Sequence, residues 1–348
     1  MTGKKMAGNL LFLLLLGGLT VYGVLNGQDP KALWDSIRQA QVGWLLPAIF
    51  CVLFFIWGES AIIHYLLGTL KVPLARWKCF LVSSVGFFFS CITPSASGGQ
   101  PMQMYYLKKE KIPLPVSALV LLIVTITYKL VLVVIGVYLP IFAPGFMKKY
   151  LEGILPVFWL GLGLNVICVG ILLLLVFYPQ LVQRILGACC RLLMRLHLLK
   201  NQKKWLEKLE RSMNLYRETA QYLRGHVSVI LKVFLLTCLQ RLSLFAVTWF
   251  VYRAFGLKGT GIYELLLLTA VISVTVDMLP LPGGMGISEK LFLMIFAPVF
   301  GPKLLLPAMI LSRGLSYYTE LLLSALMTAA AHLLLGREKT AGRPGEEK

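Results

Sequence analysis

The chain has 348 residues, of which 58% are apolar and only 14% are charged, against about 25% charged in an ordinary soluble domain. With a mean hydropathy of +0.78, this composition excludes a soluble globular enzyme, a disordered chain and a nucleic-acid-binding module, because so much apolar surface needs lipid as its solvent. The 34 basic and 15 acidic residues leave a net charge of +19. Set beside apolar runs, that surplus reads as positive-inside topology and attraction to anionic headgroups. The runs are long and continuous, unlike the weakly alternating segments of an outer-membrane barrel. The class is therefore an all-α polytopic membrane protein.

In chain order, the first segment covers about 6–25 behind Lys4 and Lys5; it is long and lacks an A-x-A cleavage site, so it reads as a span. The second covers about 42–66. The third runs only over 79–92 and then breaks at Thr93-Pro94-Ser95-Ala96-Ser97-Gly98-Gly99-Gln100-Pro101, well short of the ~20 apolar residues a crossing needs. The fourth covers 114–139 and the fifth 155–178. The polar stretch 179–227 carries ten Lys/Arg against three Glu. The sixth segment covers 228–250. The seventh covers 263–278 and breaks at Leu279-Pro280-Leu281-Pro282-Gly283-Gly284-Met285-Gly286; a short apolar piece, 291–300, follows, and the eighth segment covers 304–335.

Charge decides how the short segments run. Arg76 and Lys78 precede the third segment, and Lys108, Lys109 and Lys111 follow its break. A re-entrant hairpin over about 79–107 keeps both clusters on the cytoplasmic side. With a second hairpin over about 263–300, every large basic cluster falls on that side, both termini included. The expected architecture is thus about six full spans plus two broken hairpins. The series span, span, hairpin, span describes 1–139 and again 155–335, once from each side, which is an inverted repeat of the transporter kind. In each break a Pro is followed four residues later by Gly and then a polar residue. The basic stretch 179–227 is then a cytoplasmic insertion, and 336–348 a disordered tail.

Pro and Gly unwind a helix, and the half-helix that follows starts with free amides whose dipole attracts anions. Pro94, Ser95, Ser97, Gly98, Gly99 and Gln100 would line one phosphate site, and Pro282, Gly283, Gly284, Gly286, Ser288 and Glu289 the other; the alternative is a kink or close helix packing. Charges inside the spans are expensive and should face a cavity or one another. These are Glu59, Lys129, Arg241, Arg313 and Glu320, and they read as cations for a lipid phosphate and carboxylates for a cationic group or a proton. Internal pairing that merely orders the bundle is the alternative. Trp205, Leu209, Met213, Tyr216, Ala220 and Leu223 form one apolar helical face among basic residues, suited either to an anionic leaflet or to the underside of the bundle. No catalytic constellation, cofactor motif or metal spacing is present; the seven cysteines and four histidines read as core and interfacial residues.

The segments 93–103 and 281–289 resemble the two signatures of the lysylphosphatidylglycerol synthase transmembrane family, the membrane half of the multiple peptide resistance factor. The resemblance covers nearly the whole chain. It implies a flippase-like protein of the cell membrane that handles aminoacylated phosphatidylglycerol, in a setting of resistance to cationic antimicrobial peptides; stand-alone relatives imply other anionic or polyprenyl lipids. The chain departs from the pattern at Gln100, where many members carry Glu, while Glu289 keeps the second acid. Only 13 residues follow Leu335, so a stand-alone form without the soluble transferase domain is expected. Three functions compete: lipid translocation; lysyl transfer to phosphatidylglycerol or another lipid-linked substrate with Glu59, Glu289 or Glu320 as base; and docking of a soluble lipid-modifying enzyme through 179–227. Membrane phospholipids are the expected partners, with nucleic acid excluded and a homodimer left open.

The topology is directly testable. Cysteines introduced at 109 and 204 are expected to resist an impermeant reagent added from outside, and one at 148 to react. Outside labelling at 109 would remove the first hairpin and the inverted repeat with it.

Overall fold

Lipid offers no hydrogen bonds to a backbone, so a chain of this composition must satisfy its amides within helices. The computed structural model describes residues 30–195 and 202–335, and every regular element among them is helical. The expected first span, 6–25, and the tail, 336–348, lie outside the described residues.

A short helix, α1 (Pro30–Arg38), leads into the long α2 (Val42–Thr69). Then come α3 (Arg76–Cys91), the first break, and α4 (Gly99–Lys109). After α5 (Leu114–Phe142) and the short α6 (Pro144–Tyr150) the chain forms α7 (Leu155–Phe177). The polar stretch folds as α8 (Pro179–Arg195) and α9 (Gln202–Gly225). Next are α10 (Val227–Ala254), α11 (Ile262–Val276), the second break, and α12 (Ile287–Ile295). Helix α13 (Ala297–Arg313) passes through a π-turn at Gly314–Tyr318 into α14 (Thr319–Leu334).

Four stretches are long and apolar enough to cross a membrane: α2, α5, the run Glu152–Phe177 that contains α7, and α10. The eighth predicted segment is helical throughout but interrupted by the π-turn, so it is not one regular span. By contrast α3 has 16 residues and α11 has 15, about 24 Å and 22 Å, less than a ~30 Å hydrocarbon core.

Two apolar cores flank the middle of the bundle. One joins Ile63 and Leu66 of α2, Val85 of α3, Leu107 of α4, Val120 of α5 and Val233 of α10. The other joins Leu139 of α5, Phe158 of α7, Val251 of α10, Leu268 of α11 and Phe296 beside α12. The same long helices, α5 and α10, therefore clasp the first broken hairpin at one end and the second at the opposite end. Helix α9 settles its two readings: Met213, Tyr216 and Ala220 are buried against Leu119 and Ile126 of α5 and Val176 of α7, so this face packs under the bundle. Helix α8 keeps Leu181, Ile185 and Leu186 exposed, the pattern of an interfacial helix.

The breaks share a backbone. Thr93 and Leu281 are extended, with φ of −120° each. Ser95 and Ala96 then have φ of 50° and 53°, matched by Gly283 and Gly284 at 55° and 65°. The bonds repeat too: Ala96 N–H donates to Thr93 O and Ser97 N–H to Pro94 O, as Gly284 N–H does to Leu281 O and Met285 N–H to Pro282 O, all at 3.1–3.2 Å. The second break uses glycine for the left-handed conformation, whereas the first holds Ser and Ala there at a cost on the order of 1–3 kcal/mol each. Past this turn the two diverge, since Gly98 is right-handed helical and Gly286 has a φ of 84°.

Ala96→Gly is thus expected to shift stability by no more than about 1 kcal/mol, strain relief offsetting the freer unfolded chain. Gly283→Ala is expected to be the worse change, because a Cβ there also meets the Tyr317 ring. Thermal midpoints of the purified variants check this; equal midpoints would refute the shared turn as a source of strain.

Candidate functional site: a charged cavity between the two breaks

The turns 94–96 and 282–284 touch each other, and Ser95 Oγ donates to the Leu279 carbonyl at 3.3 Å. They form part of the wall of a cavity of about 430 Å³. Its other walls come from the middle of the long helices: Glu59 on α2, Tyr128 and Lys129 on α5, and Arg241 on α10. The π-turn adds an extra residue to one helical turn, and Arg313, Tyr317 and Glu320 all line the cavity.

The predicted site residues divide. Ser95, Ser97, Gln100, Gly283, Gly284 and Ser288 line the cavity, as do all five intramembrane charges. Pro94, Gly98, Gly99, Pro282, Gly286 and Glu289 are not in its wall. Gly99 is buried against α3, where a Cβ would lie 2.7 Å from the Gly86 carbonyl, so it serves helix packing. Gly284 adopts its positive φ beside Val276, so it shapes the turn as well as the wall. At the second break the half-helix end carries its own anion: Gly286 N–H donates to Glu289 Oε2 at 2.7 Å, and Ser288 Oγ to the same oxygen at 3.0 Å.

Two of the three cations are already neutralised. Lys129 Nζ pairs with Asp277 Oδ2 at 2.6 Å, while Tyr128 donates its hydroxyl to Asp277 Oδ1 at 2.7 Å. Arg313 Nε pairs with Glu289 Oε1 at 2.8 Å and its Nη2 donates to the Gly283 carbonyl at 3.0 Å. Both cations grip the second break, Lys129 before it and Arg313 across it. Around the first break the partners are neutral apart from Glu59. Thr93 Oγ1 donates to Phe89 O at 2.6 Å and accepts from Gly98 N–H at 2.9 Å. Gln100 donates its amide to Thr125. Gln103 Nε2 donates to Glu59 Oε1 at 2.6 Å. An amide at Gln100 can be a donor to Thr125 in a way a carboxylate cannot.

Sequence reasoning passed over Asp277, Tyr128 and Gln103. Asp277 carried a usable signal, a carboxylate inside an apolar run next to a Pro-rich break. The roles of Tyr128 and Gln103 depend on partners 149 and 44 residues away, which no local pattern shows.

An all-helical, multi-pass membrane protein with a cavity between two helix breaks, lined by charged side chains, is what this geometry defines. The family model for the lysylphosphatidylglycerol synthase TM region matches residues 6–324, and the chain belongs to that family. No curated protein matches it significantly in sequence.

The Arg313–Glu289 pair is a structural tie. Glu289 has a side chain 5% exposed, and removing one partner of a buried pair costs about 3–5 kcal/mol. Arg313→Ala is therefore expected to lower the thermal midpoint sharply and Arg313→Lys less, since one ammonium cannot reach both the carboxylate and the Gly283 carbonyl. A midpoint unchanged in Arg313→Ala would show that the second break stands without it.

Proposed function

We propose that this protein translocates a phospholipid headgroup across the cell membrane, through the cavity between its two broken hairpins. The observation that carries the reading is the placement of that cavity. It lies at the middle of α2, α5 and α10, between two apolar cores, where each break comes from an opposite end of the bundle. Charged groups at such a depth are costly, and they are kept where they pair with one another or face a pathway. Paired interrupted helices at mid-depth are a recurring place for substrate in transporters.

The reading puts both termini in the cytoplasm and takes the two hairpins as re-entrant halves of an inverted repeat. Aminoacylated phosphatidylglycerol is the substrate it favours, ahead of other anionic or polyprenyl lipids. Beyond the two ion pairs, the cavity presents one guanidinium, Arg241, and two carboxylates, Glu59 and Glu320. A headgroup carrying both a phosphate and amines complements that set. Lysyl transfer and enzyme docking through 179–227 gain no comparable support, because the charged cavity lies at the middle of α2, α5 and α10 and no described residue of 179–227 lines it.

Proteoliposomes containing the purified protein and fluorescent phosphatidylglycerol or its lysyl ester test this, with a membrane-impermeant quencher reporting the outer leaflet. Exchange of the lysyl ester is expected well above protein-free vesicles. Ser97→Trp, at an exposed right-handed helical position facing the cavity, is expected to cut it at least about tenfold by filling the chamber without disturbing a core. Exchange equal to that of protein-free vesicles for every lipid would refute the proposal.

A further inference from the structure

Among the cations of the cavity, Arg241 stands apart. It is 4% exposed, its Nε has no hydrogen-bond partner, and among the described residues it makes no direct ion pair, although Glu59 and Glu320 are near enough to feel its charge. Its guanidinium lies 3.7 Å from the centroid of the Tyr128 ring, with Phe245 and Phe55 at 5.5 and 5.8 Å. Stacking on aromatic faces offsets part of the desolvation of a cation, but ring faces are only weak acceptors for its N–H donors. A guanidinium is charged at any ordinary pH. A buried one with unspent donors is therefore an incomplete site.

The surroundings keep it incomplete. Glu59 and Glu320 line the same cavity but are engaged elsewhere, Glu59 by Gln103 at 2.6 Å and Glu320 by the Cys91 thiol at 3.7 Å. Tyr128 is fastened through its hydroxyl to Asp277, which is itself paired with Lys129, so the platform under the guanidinium is fixed. Lys129 and Arg313 have their charges cancelled by Asp277 and Glu289, and the Gly286 amide of the second half-helix already donates to Glu289.

We propose that Arg241, stacked on Tyr128, is the phosphate seat of the cavity, in place of the half-helix ends. This deepens the headgroup reading and rests on it. The ligand chemistry is a phosphate oxyanion able to accept the forked guanidinium donors, carried by a phosphodiester lipid or by free phosphate. Arg241 binds the phosphate; Tyr128 positions Arg241.

Binding to the purified full chain in detergent, measured without transport, tests the assignment. The probes are dioctanoyl phosphatidylglycerol, dioctanoylglycerol as its phosphate-free counterpart, and inorganic phosphate. Wild type is expected to bind the phospholipid at least about tenfold tighter than the diacylglycerol, as a charge-assisted pair implies. Arg241→Gln is expected to erase that difference, and Arg241→Lys to weaken phospholipid binding several-fold while keeping the fold. Arg253→Gln, on the same helix but outside the cavity, is expected to bind as wild type does. Wild-type affinity for the phospholipid in Arg241→Gln overturns the seat and leaves the headgroup reading standing. If Arg241→Gln does not fold, wild-type affinity in Arg241→Lys overturns it equally. Arg241-dependent binding of inorganic phosphate with no preference for the lipid supports the seat and makes free phosphate its source. No preference for phosphate in either form overturns both the seat and the headgroup reading.

Discussion

A polar group at membrane depth has no water to fall back on, and most of this structure follows from where each such group finds a partner. Backbone amides are satisfied by helices, and where Pro94 and Pro282 interrupt the helices the lost bonds are replaced locally. The first break does this with neutral groups, chiefly Thr93, which donates to Phe89 O and accepts from Gly98 N–H. The second uses charges, with Glu289 taking the Gly286 amide and Arg313 taking both Glu289 and the Gly283 carbonyl. Two turns with one backbone conformation are therefore stabilised by different chemistry. The carboxylate at 289 has a cation beside it. The amide at 100 has a hydroxyl.

The same constraint separates structure from function among the charges. Lys129 and Arg313 are each matched by a carboxylate within 2.8 Å, and both matches involve residues flanking the second break. Glu59, Arg241 and Glu320 are not matched by opposite charges in this way, although all three face one chamber. Arg241 acts on both carboxylates through space without a direct ion pair to either. Three charges that face one cavity and are hydrogen-bonded to one another nowhere suit a ligand that carries charge of its own.

Much of this architecture was legible in the residues. Length and hydropathy marked α2, α5, α7 and α10 to within a few positions, and the paired Pro and Gly spacing located both breaks. The intramembrane charges were recognisable as cavity residues because their cost in lipid is so high. Three things were not legible. Ser95 and Ala96 carry no sign of a left-handed backbone, so the depth of the match with Gly283 and Gly284 emerges only from φ. Gly98 and Gly99 looked like ligand-facing residues, yet Gly99 is spent on the approach of α4 to α3, because small residues serve both purposes equally well in sequence. The neutral partners of the first break and the acid partner of Lys129 come from distant segments, and a single sequence does not reveal which distant residues meet. The π-turn at 314–318 was likewise hidden, since its residues fit an ordinary helix.

The central claim is that a lipid headgroup occupies the chamber between the breaks. Photo-crosslinking with a phospholipid bearing a photoreactive headgroup, followed by peptide mapping, tests it most directly. The account predicts adducts on the cavity-facing parts of 90–103, 121–129 and 272–288, suppressed by excess unlabelled lipid and lost in Ser97→Trp. Adducts confined to the lipid-facing surfaces of α7 and α8, unchanged by that substitution, would contradict it.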